Sequence, residues 1–337
     1  MLPALDTLML VFSPDGEMPV PVPERALFLG AVAHPELRDW PSIIGWQPNK
    51  ALADAWERVG FERKDDLGEE RWPVVLILPG KSREETLAWF ALARDHLAPG
   101  GTVVVAMPNT AGARRFEKLL TQATGDVVSL QKHKCRAFRA TENGAFNDAL
   151  FREWRLGLAP QAIPETSMVA QAGTFSANRL DPGSVLLAEH LPRTLHGAVA
   201  DLGAGWGYLS DAVLRLGPKI ESLDLFEVDA RALACARANL RGHDRKIRYH
   251  WHDVRTGLPE RYDAIVMNPP FHTGQVTDVD LGRGFLEVAM ASLKRDGELF
   301  VVANRQLPYE RVLEASGLVW RIAEEDKTYK LLFAKQH

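Results

Sequence analysis

The sequence predicts an α/β protein of two tandem domains, each a doubly wound, mostly parallel sheet with helices on both faces. Three observations carry that reading. The chain has 337 residues, and at about 100–200 residues per domain this length suits two cores better than one. Apolar runs rich in strand formers alternate with helical stretches, the pattern of parallel strands joined by crossover helices. The halves also repeat one another: Glu70-Arg71-Trp72 leads into the apolar run Val74–Leu78 and Pro79, and Glu260-Arg261-Tyr262 leads into Ala264–Met267 and Asn268-Pro269, at a constant offset of 190 positions.

The repeat continues downstream. In the first half the helical stretch Thr86–Leu97 precedes the turn Pro99-Gly100-Gly101 and the strand Val103–Ala106; in the second, Phe285–Leu293 precedes Arg295-Asp296-Gly297 and Leu299–Ala303. Read in order, the second half is helix Pro182–Leu191, strand Gly197–Asp201, helix Tyr208–Leu216, strand Ile220–Glu227, helix Ala230–Leu240 and strand Lys246–His252. Strand Tyr262–Asn268, helix Phe285–Leu293 and strand Glu298–Ala303 follow, and Val319–Ala323 with Tyr329–Ala334 can close the sheet as an antiparallel hairpin. Leu156–Thr166, with two prolines, a glycine and no basic residue, reads as the linker, giving domains 1–165 and 166–337.

Composition narrows the function. Apolar residues make up 46% and charged residues 25%, which excludes a disordered or fibrous chain. A net charge of −4, from 40 basic and 44 acidic residues, excludes a surface that is basic all over and leaves local patches open. Cys135 and Cys235 are too few for a disulfide framework or a four-ligand zinc site, so they are expected as buried thiols in a reducing compartment, with no metal. No apolar run approaches the ~20 residues of a membrane span, and no basic stretch precedes Leu8–Phe12 as a secretion signal requires. No membrane partner is expected, and the expected location is the cytoplasm.

After the strand ending at Ala200 comes Asp201-Leu202-Gly203-Ala204-Gly205-Trp206-Gly207, and then a helix. Glycines there let the chain turn tightly and let a ligand approach where a Cβ would collide. The spacing is not the dinucleotide fingerprint G-x-G-x-x-G, and Asp201 just ahead of the loop suits a cationic ligand group where a pyrophosphate would be repelled. Twenty residues past Gly207, Glu227 ends the next strand, where doubly wound nucleotide sites place an acid on ribose hydroxyls. The third strand ends in His252-Asp253, and Asp253 can accept a hydrogen bond from an adenine amine.

The strand Ala264–Met267 runs into Asn268-Pro269-Pro270-Phe271-His272. Two prolines remove two backbone donors and stiffen the loop, so that the Pro269 carbonyl and the Asn268 carboxamide oxygen can be held toward a site. Such a pair can accept both protons of an exocyclic amine. Drawing on both N–H groups favours the pyramidal nitrogen that attacks a methyl group, and positioning then supplies the catalysis without a strong base. Phe271 can stack on a flat base, an interaction worth ~1–3 kcal/mol. The same letters also read as a strand-ending turn, and His272 is given no role.

D-x-G-x-G-x-G followed by these acids resembles the S-adenosylmethionine site of Rossmann-like class I methyltransferases. The resemblance implies S-adenosyl-L-methionine as cofactor, with Asp201, Gly203, Gly205 and Gly207 around its methionine end, Glu227 at its ribose and Asp253 at its adenine. Upstream, Thr174-Phe175-Ser176 and Asp181-Pro182-Gly183-Ser184 are similar to the segment such enzymes fold over the cofactor, which adds Phe175, Asp181 and Gly183; these letters also read as a turn and a helix N-cap. N-P-P-F-H after such a site resembles methyltransferases acting on planar nitrogen: adenine N6, guanine N2 or a glutamine amide.

Paired like halves, N-P-P-F-H in the second only, Val301–Arg305 followed by Leu307-Pro308-Tyr309, and F-S-x-x-x-L-D-x-G-S at Phe175–Ser184 narrow this to the bacterial ribosomal RNA small subunit guanine-N2 methyltransferase C family. The resemblance implies a class I fold duplicated in tandem with a degenerate first domain, action on guanine 1207 of 16S rRNA in the 30S subunit, and Asn268, Pro269, Pro270 and Phe271 as the catalytic set. Leu29-Gly30-Ala31 stands where the first half's glycine loop should be, and Leu78-Pro79 stands for Asn268-Pro269. Large-subunit guanine-N2 methylation, protein glutamine methylation and a silent cofactor-binding module are the rival readings.

RNA has to be held as well as methylated. Between Ala111 and Arg139 lie Arg114, Arg115, Lys118, Lys132, Lys134, Arg136 and Arg139 against Glu117 and Asp126, a cluster able to bind phosphates by summed charge. Arg114, Arg115, Lys118, Lys132, Lys134 and Arg136 are the RNA-binding candidates. Lys132-His133-Lys134-Cys135-Arg136 is expected as one strand, with its basic side chains on one face.

Overall fold

Uninterrupted apolar runs make the inner strands of the molecule, because strands with helices on both sides must bury both faces. The structure is a computed structural model and describes residues 2–14, 16, 18–270, 272–273, 276–277 and 279–337. The chain divides into two compact units, Met1–Ala159 and Pro160–His337.

In the first unit, β1 (Ala26–Leu29), β2 (Ile43–Trp46), β3 (Glu62–Arg63), β4 (Trp72–Ile77), β5 (Leu97–Pro108), β6 (Val128–Lys132) and β7 (Cys135–Thr141) form one sheet in the order β3-β2-β1-β4-β5-β7-β6. The first five are parallel, and β7 enters antiparallel between β5 and β6. Leu27 and Leu29 feed the core on one face of β1, Ala26 and Phe28 the core on the other, as alternation along a strand dictates.

The second unit opens with a small hairpin, β8 (Gln161–Ala162) and β9 (Val169–Ala170). Its sheet comprises β10 (His196–Leu202), β11 (Lys219–Glu227), β12 (Lys246–Trp251) and β13 (Tyr262–Met267), and, beyond the short pair β14 (His272–Thr273) and β15 (Val276–Thr277), β16 (Leu293–Asn304), β17 (Val319–Glu325) and β18 (Tyr329–Lys335). The order is β12-β11-β10-β13-β16-β18-β17, the order of the first unit. Both sheets are the Rossmann-like class I methyltransferase arrangement. Among the described residues no helix is long and apolar enough to cross a membrane.

Register makes the internal repeat concrete. Leu29 lies beside Trp46 and Ile77, and Leu202 lies beside Phe226 and Met267. The next residues therefore correspond: Gly30 to Gly203, Gln47 to Glu227, and Leu78 to Asn268. One position earlier, Phe28 stands for Asp201.

Two expectations are corrected. Leu156–Thr166 is not a free linker: Leu156–Leu158 is a helical turn packed on the first unit's core, and β8 belongs to the second unit, so the division falls after Ala159. Lys132–Arg136 is not one strand. His133 and Lys134 take φ of 53° and 58°, two successive left-handed residues that turn the chain back on itself as a tight hairpin, with Lys132 paired to Cys135.

Candidate active site

Both acids of the second unit's site are where parallel sheets place functional groups, at the carboxyl ends of strands beside the central crevice. Asp201, near the end of β10, is fully buried; its Oδ2 accepts a hydrogen bond from Ser210 Oγ at 2.7 Å. Among the described residues its Oδ1 is buried and has no partner. Burial pushes its carboxyl up to about 7, opposed by the Ser210 hydroxyl and reinforced by the negative charge of Glu227.

Glu227 ends β11 and is also raised to about 7 by burial, against the backbone N–H groups that favour its ionised form. Those donors come from both sides. Gly205 N–H reaches Oε2 at 2.7 Å and Asp229 N–H reaches Oε1 at 2.8 Å, so the carboxylate ties the glycine loop to the start of the next helix.

The loop needs its glycines for two different reasons. Gly203, Gly205 and Gly207 have φ of 72°, 56° and 92°, a region L side chains rarely adopt. A Cβ at Gly207 would press on Ala236 at 3.2 Å, whereas a Cβ at Gly205 would meet nothing within 4 Å. Gly207 therefore serves helix packing, and Gly205 lies at an open face where backbone can meet a ligand.

Gly203 joins the two motifs that stand far apart in sequence. A Cβ there would lie 4.0 Å from the Asn268 carbonyl oxygen and from the Pro270 ring, and 3.4 Å from Phe285. Asn268 in turn donates from Nδ2 to Asp181 Oδ2 and to Ser184 Oγ, both at 2.8 Å. Pro269 is buried and Pro270 exposed; Phe271 lies outside the described residues. The pocket so formed is lined by Phe175, Asp181, Ser184, Gly203, Gly205, Trp206 and Asn268 together with their neighbours.

The remaining candidates take varied places. Phe175 is 60% exposed at the rim, its carbonyl held by Trp206 Nε1 at 3.0 Å. Asp181 caps helix Pro182–His190 by accepting from Ser184 N–H at 2.8 Å, in addition to holding Asn268. Gly183 does not line the pocket: a Cβ there would strike Tyr329 at 2.9 Å, so its smallness serves packing. Asp253 caps the turn Val254–Thr256 and is bound by Arg255 through Nε at 2.9 Å and Nη2 at 2.7 Å. Despite partial burial, these bonds hold its carboxyl below the usual range.

In the first unit Arg114, Arg115 and Lys118 are exposed along helix Ala113–Thr124, and Lys132 and Lys134 are exposed at the β6–β7 turn. Asn109 N–H donates to the Lys134 carbonyl at 3.0 Å, which ties that turn to the end of β5, just ahead of the helix. Arg136 does not belong with them. It is largely buried and pairs with Glu117 at 2.7 Å and Ser129 at 3.1 Å, because the hairpin turns its side chain toward the helix.

Sequence reasoning assigned no role to Ser184, Ser210 or Trp206. Ser184 stands at the third position after an N-capping Asp, a detectable signal; nothing in sequence shows that its hydroxyl meets Asn268, 84 residues away.

The arrangement fits a ligand with a cationic group and a sugar: a buried carboxylate oxygen without a partner at Asp201, an open glycine face at Gly205, and a second carboxylate at Glu227. The family model of the methyltransferase small domain matches residues 165–333. The ribosomal RNA small subunit methyltransferase C of Psychromonas ingrahamii is 30% identical over 269 residues, covering 79% of this chain and 76% of that protein. The protein of the same description from Shewanella loihica is 31% identical over 262 residues, covering 77% and 75%. Among solved structures, the T. thermophilus 16S rRNA N2 G1207 methyltransferase in complex with AdoMet and guanosine is similar with a TM-score of 0.80 at 25% identity, over 100% of this chain and 92% of that one.

Proposed function

We propose, for a chain that belongs to the ribosomal RNA small subunit methyltransferase C family, that it transfers a methyl group from S-adenosylmethionine to the exocyclic N2 of a guanine in 16S rRNA, guanine 1207. The observation that carries the reading is the close approach of Gly203 to the Asn268 carbonyl and the Pro270 ring, beside the pocket that Gly203 and Asn268 line. It puts a cofactor loop and an amine-accepting loop within reach of one another.

Asp201, Gly203, Gly205 and Glu227 are the residues that would hold S-adenosylmethionine, with Phe175 at the rim and Asp253 at the third strand's end. When bound, the cofactor supplies a methyl group activated by a sulfonium. The chain's own part is positional. Asn268 Oδ1 and the Pro269 carbonyl each accept an N–H of the guanine amine, which localises the nitrogen lone pair on the side facing the methyl group. The extra proton then leaves the nitrogen along one of these hydrogen bonds to water. Removing one oriented polar group of this kind typically costs ~10²–10³ in rate.

Arg114, Arg115, Lys118, Lys132 and Lys134 serve the phosphate backbone in this reading, since flipping a base out costs a few kcal/mol that contacts elsewhere offset. The partner is the 30S subunit and the location the cytoplasm, where that subunit is found. Methyl transfer from tritiated cofactor to 30S particles, to 50S particles and to total protein tests the proposal. Label in 30S guanine N2 is expected. Label in 50S alone, or in protein alone, replaces the substrate assignment.

A further inference from the structure

An asparagine carboxamide can face a substrate with its oxygen or with its nitrogen, and the Asn268 backbone does not choose between the two. The choice is made from another element. Asn268 Nδ2 donates to Asp181 Oδ2 and to Ser184 Oγ, each at 2.8 Å, and the same Asp181 oxygen accepts the Ser184 backbone N–H at 2.8 Å. An ionised carboxylate has no proton to give, so the group opposite it must be the NH₂ end of the amide. With both NH₂ protons committed, the oxygen is the end left for the pocket that Asp181, Ser184, Gly203 and Asn268 line together.

We propose that Asp181 and Ser184 are a positioning pair that locks Asn268 oxygen-forward, and that this lock selects an N–H donor, an exocyclic amine, over a carbonyl on the same edge of a base. The inference rests on the methyl-transfer reading above and deepens it. Reversed, the amide would turn its own donors on the substrate amine, and the repulsion of donor against donor would push the reacting nitrogen away. The lock also gives Asp181 a purpose that an N-cap does not need, because serine, asparagine and aspartate cap comparably well.

The test is Asp181→Gly combined with Ser184→Ala, which keeps a residue well tolerated as an N-cap at 181 and removes both acceptors of the Asn268 amide. Single-turnover methylation of 30S particles should slow by at least ~10-fold, a fraction of the loss expected when an oriented group is removed outright. The dissociation constant for S-adenosylmethionine, by calorimetry, should stay within a few-fold. Asp181→Asn should restore most of the rate, because its amide oxygen can take the place of Oδ2. A wild-type rate in the double variant overturns the proposal, and so does a loss of cofactor affinity that accounts for the whole loss of rate. If the double variant does not fold, Ser184→Ala alone carries the same test, with a several-fold slowing expected and an unchanged rate overturning it. Failure of the unmodified enzyme to label guanine N2 would instead strike the reading on which the inference rests.

Discussion

At the end of the first strand of each unit the backbone makes the same turn. Gly30 and Gly203 share a φ of 72°; Gly30 and Ala31 donate to the Trp46 carbonyl, and Gly203 and Ala204 donate to the Phe226 carbonyl. The side chains around the turn then differ. Buried Phe28 replaces Asp201, Leu78 replaces Asn268, and Gln47 replaces Glu227 while keeping its contacts in altered form: Gln47 Oε1 accepts from Asn49 N–H at 3.0 Å as Glu227 accepts from Asp229, but Gln47 Nε2 donates to the Ala31 carbonyl at 2.9 Å where Glu227 accepts from Gly205. The space itself is also filled. A Cβ at Gly30 would fall 2.7 Å from Trp89 and closer still to the Leu78 carbonyl, whereas at Gly203 the nearest atom is Phe285 at 3.4 Å. A class I scaffold thus persists without the carboxylates and amide of the site, because strand register and turn rest on backbone bonds and apolar burial, and the side-chain support of the turn is given by Gln47 as well as by Glu227.

The sharpest way to break the comparison is to remove Asn268 and to supply its counterpart. Asn268→Ala should lower methyl transfer by ~10²–10³ with cofactor affinity within a few-fold. Leu78→Asn should leave transfer and the stoichiometry of one cofactor per chain as they are. Single-turnover rates and calorimetry check both.

Reopening the filled site tests whether space alone is missing. Trp89→Ala empties a nearly buried position and should cost ~3–5 kcal/mol of stability, read by denaturant unfolding. Cofactor stoichiometry should stay at one, since Phe28 and Gln47 still offer no charge to a cationic ligand. A second bound cofactor would show that Trp89 by itself closes the first site.

The acids sharpen the contrast through pH. Asp201 and Glu227 are raised to about 7 in the folded chain, so the stability they contribute is present below their unfolded pKa of about 4 and lost as pH rises through about 7. The Tm of the ligand-free protein should fall from about pH 4 to about pH 7 and level off above it, by ~2–4 °C for each kcal/mol, and Asp201→Asn with Glu227→Gln should flatten the slope. Cofactor affinity should run the other way, rising as pH passes through about 7 and the carboxylates of the folded chain ionise to meet a cation. Calorimetry across pH reads both.

The smallest expected effect concerns RNA. Replacing Arg114, Lys132 and Lys134 together by alanine should flatten the log–log salt dependence of RNA binding by up to ~2 units, at ~0.7 per single-strand phosphate contact, and leave cofactor binding intact. Arg136→Ala should instead lower Tm by unpairing Glu117. An unchanged slope in the triple variant would move the phosphate contacts to other residues.

The sequence by itself determined the architecture. Strand runs such as Val74–Ile77 and Ala264–Met267 admit little besides a buried parallel strand, the 190-residue offset between them marks the duplication, and the closing antiparallel pair is legible in its strand formers. Positive-φ glycines after β10 and an acid ending β11 were likewise readable, since period, composition and turn chemistry are local properties of a chain. Tertiary structure decided what each group faces. It turned Lys132–Arg136 into a hairpin and put Arg136 on Glu117, assigned Gly183 to Tyr329, and brought Asp181 and Ser184 onto Asn268 across more than 80 residues. Hydrogen bonds of that reach depend on where crossover connections return the chain, and no local pattern of residues encodes the partner at the far end.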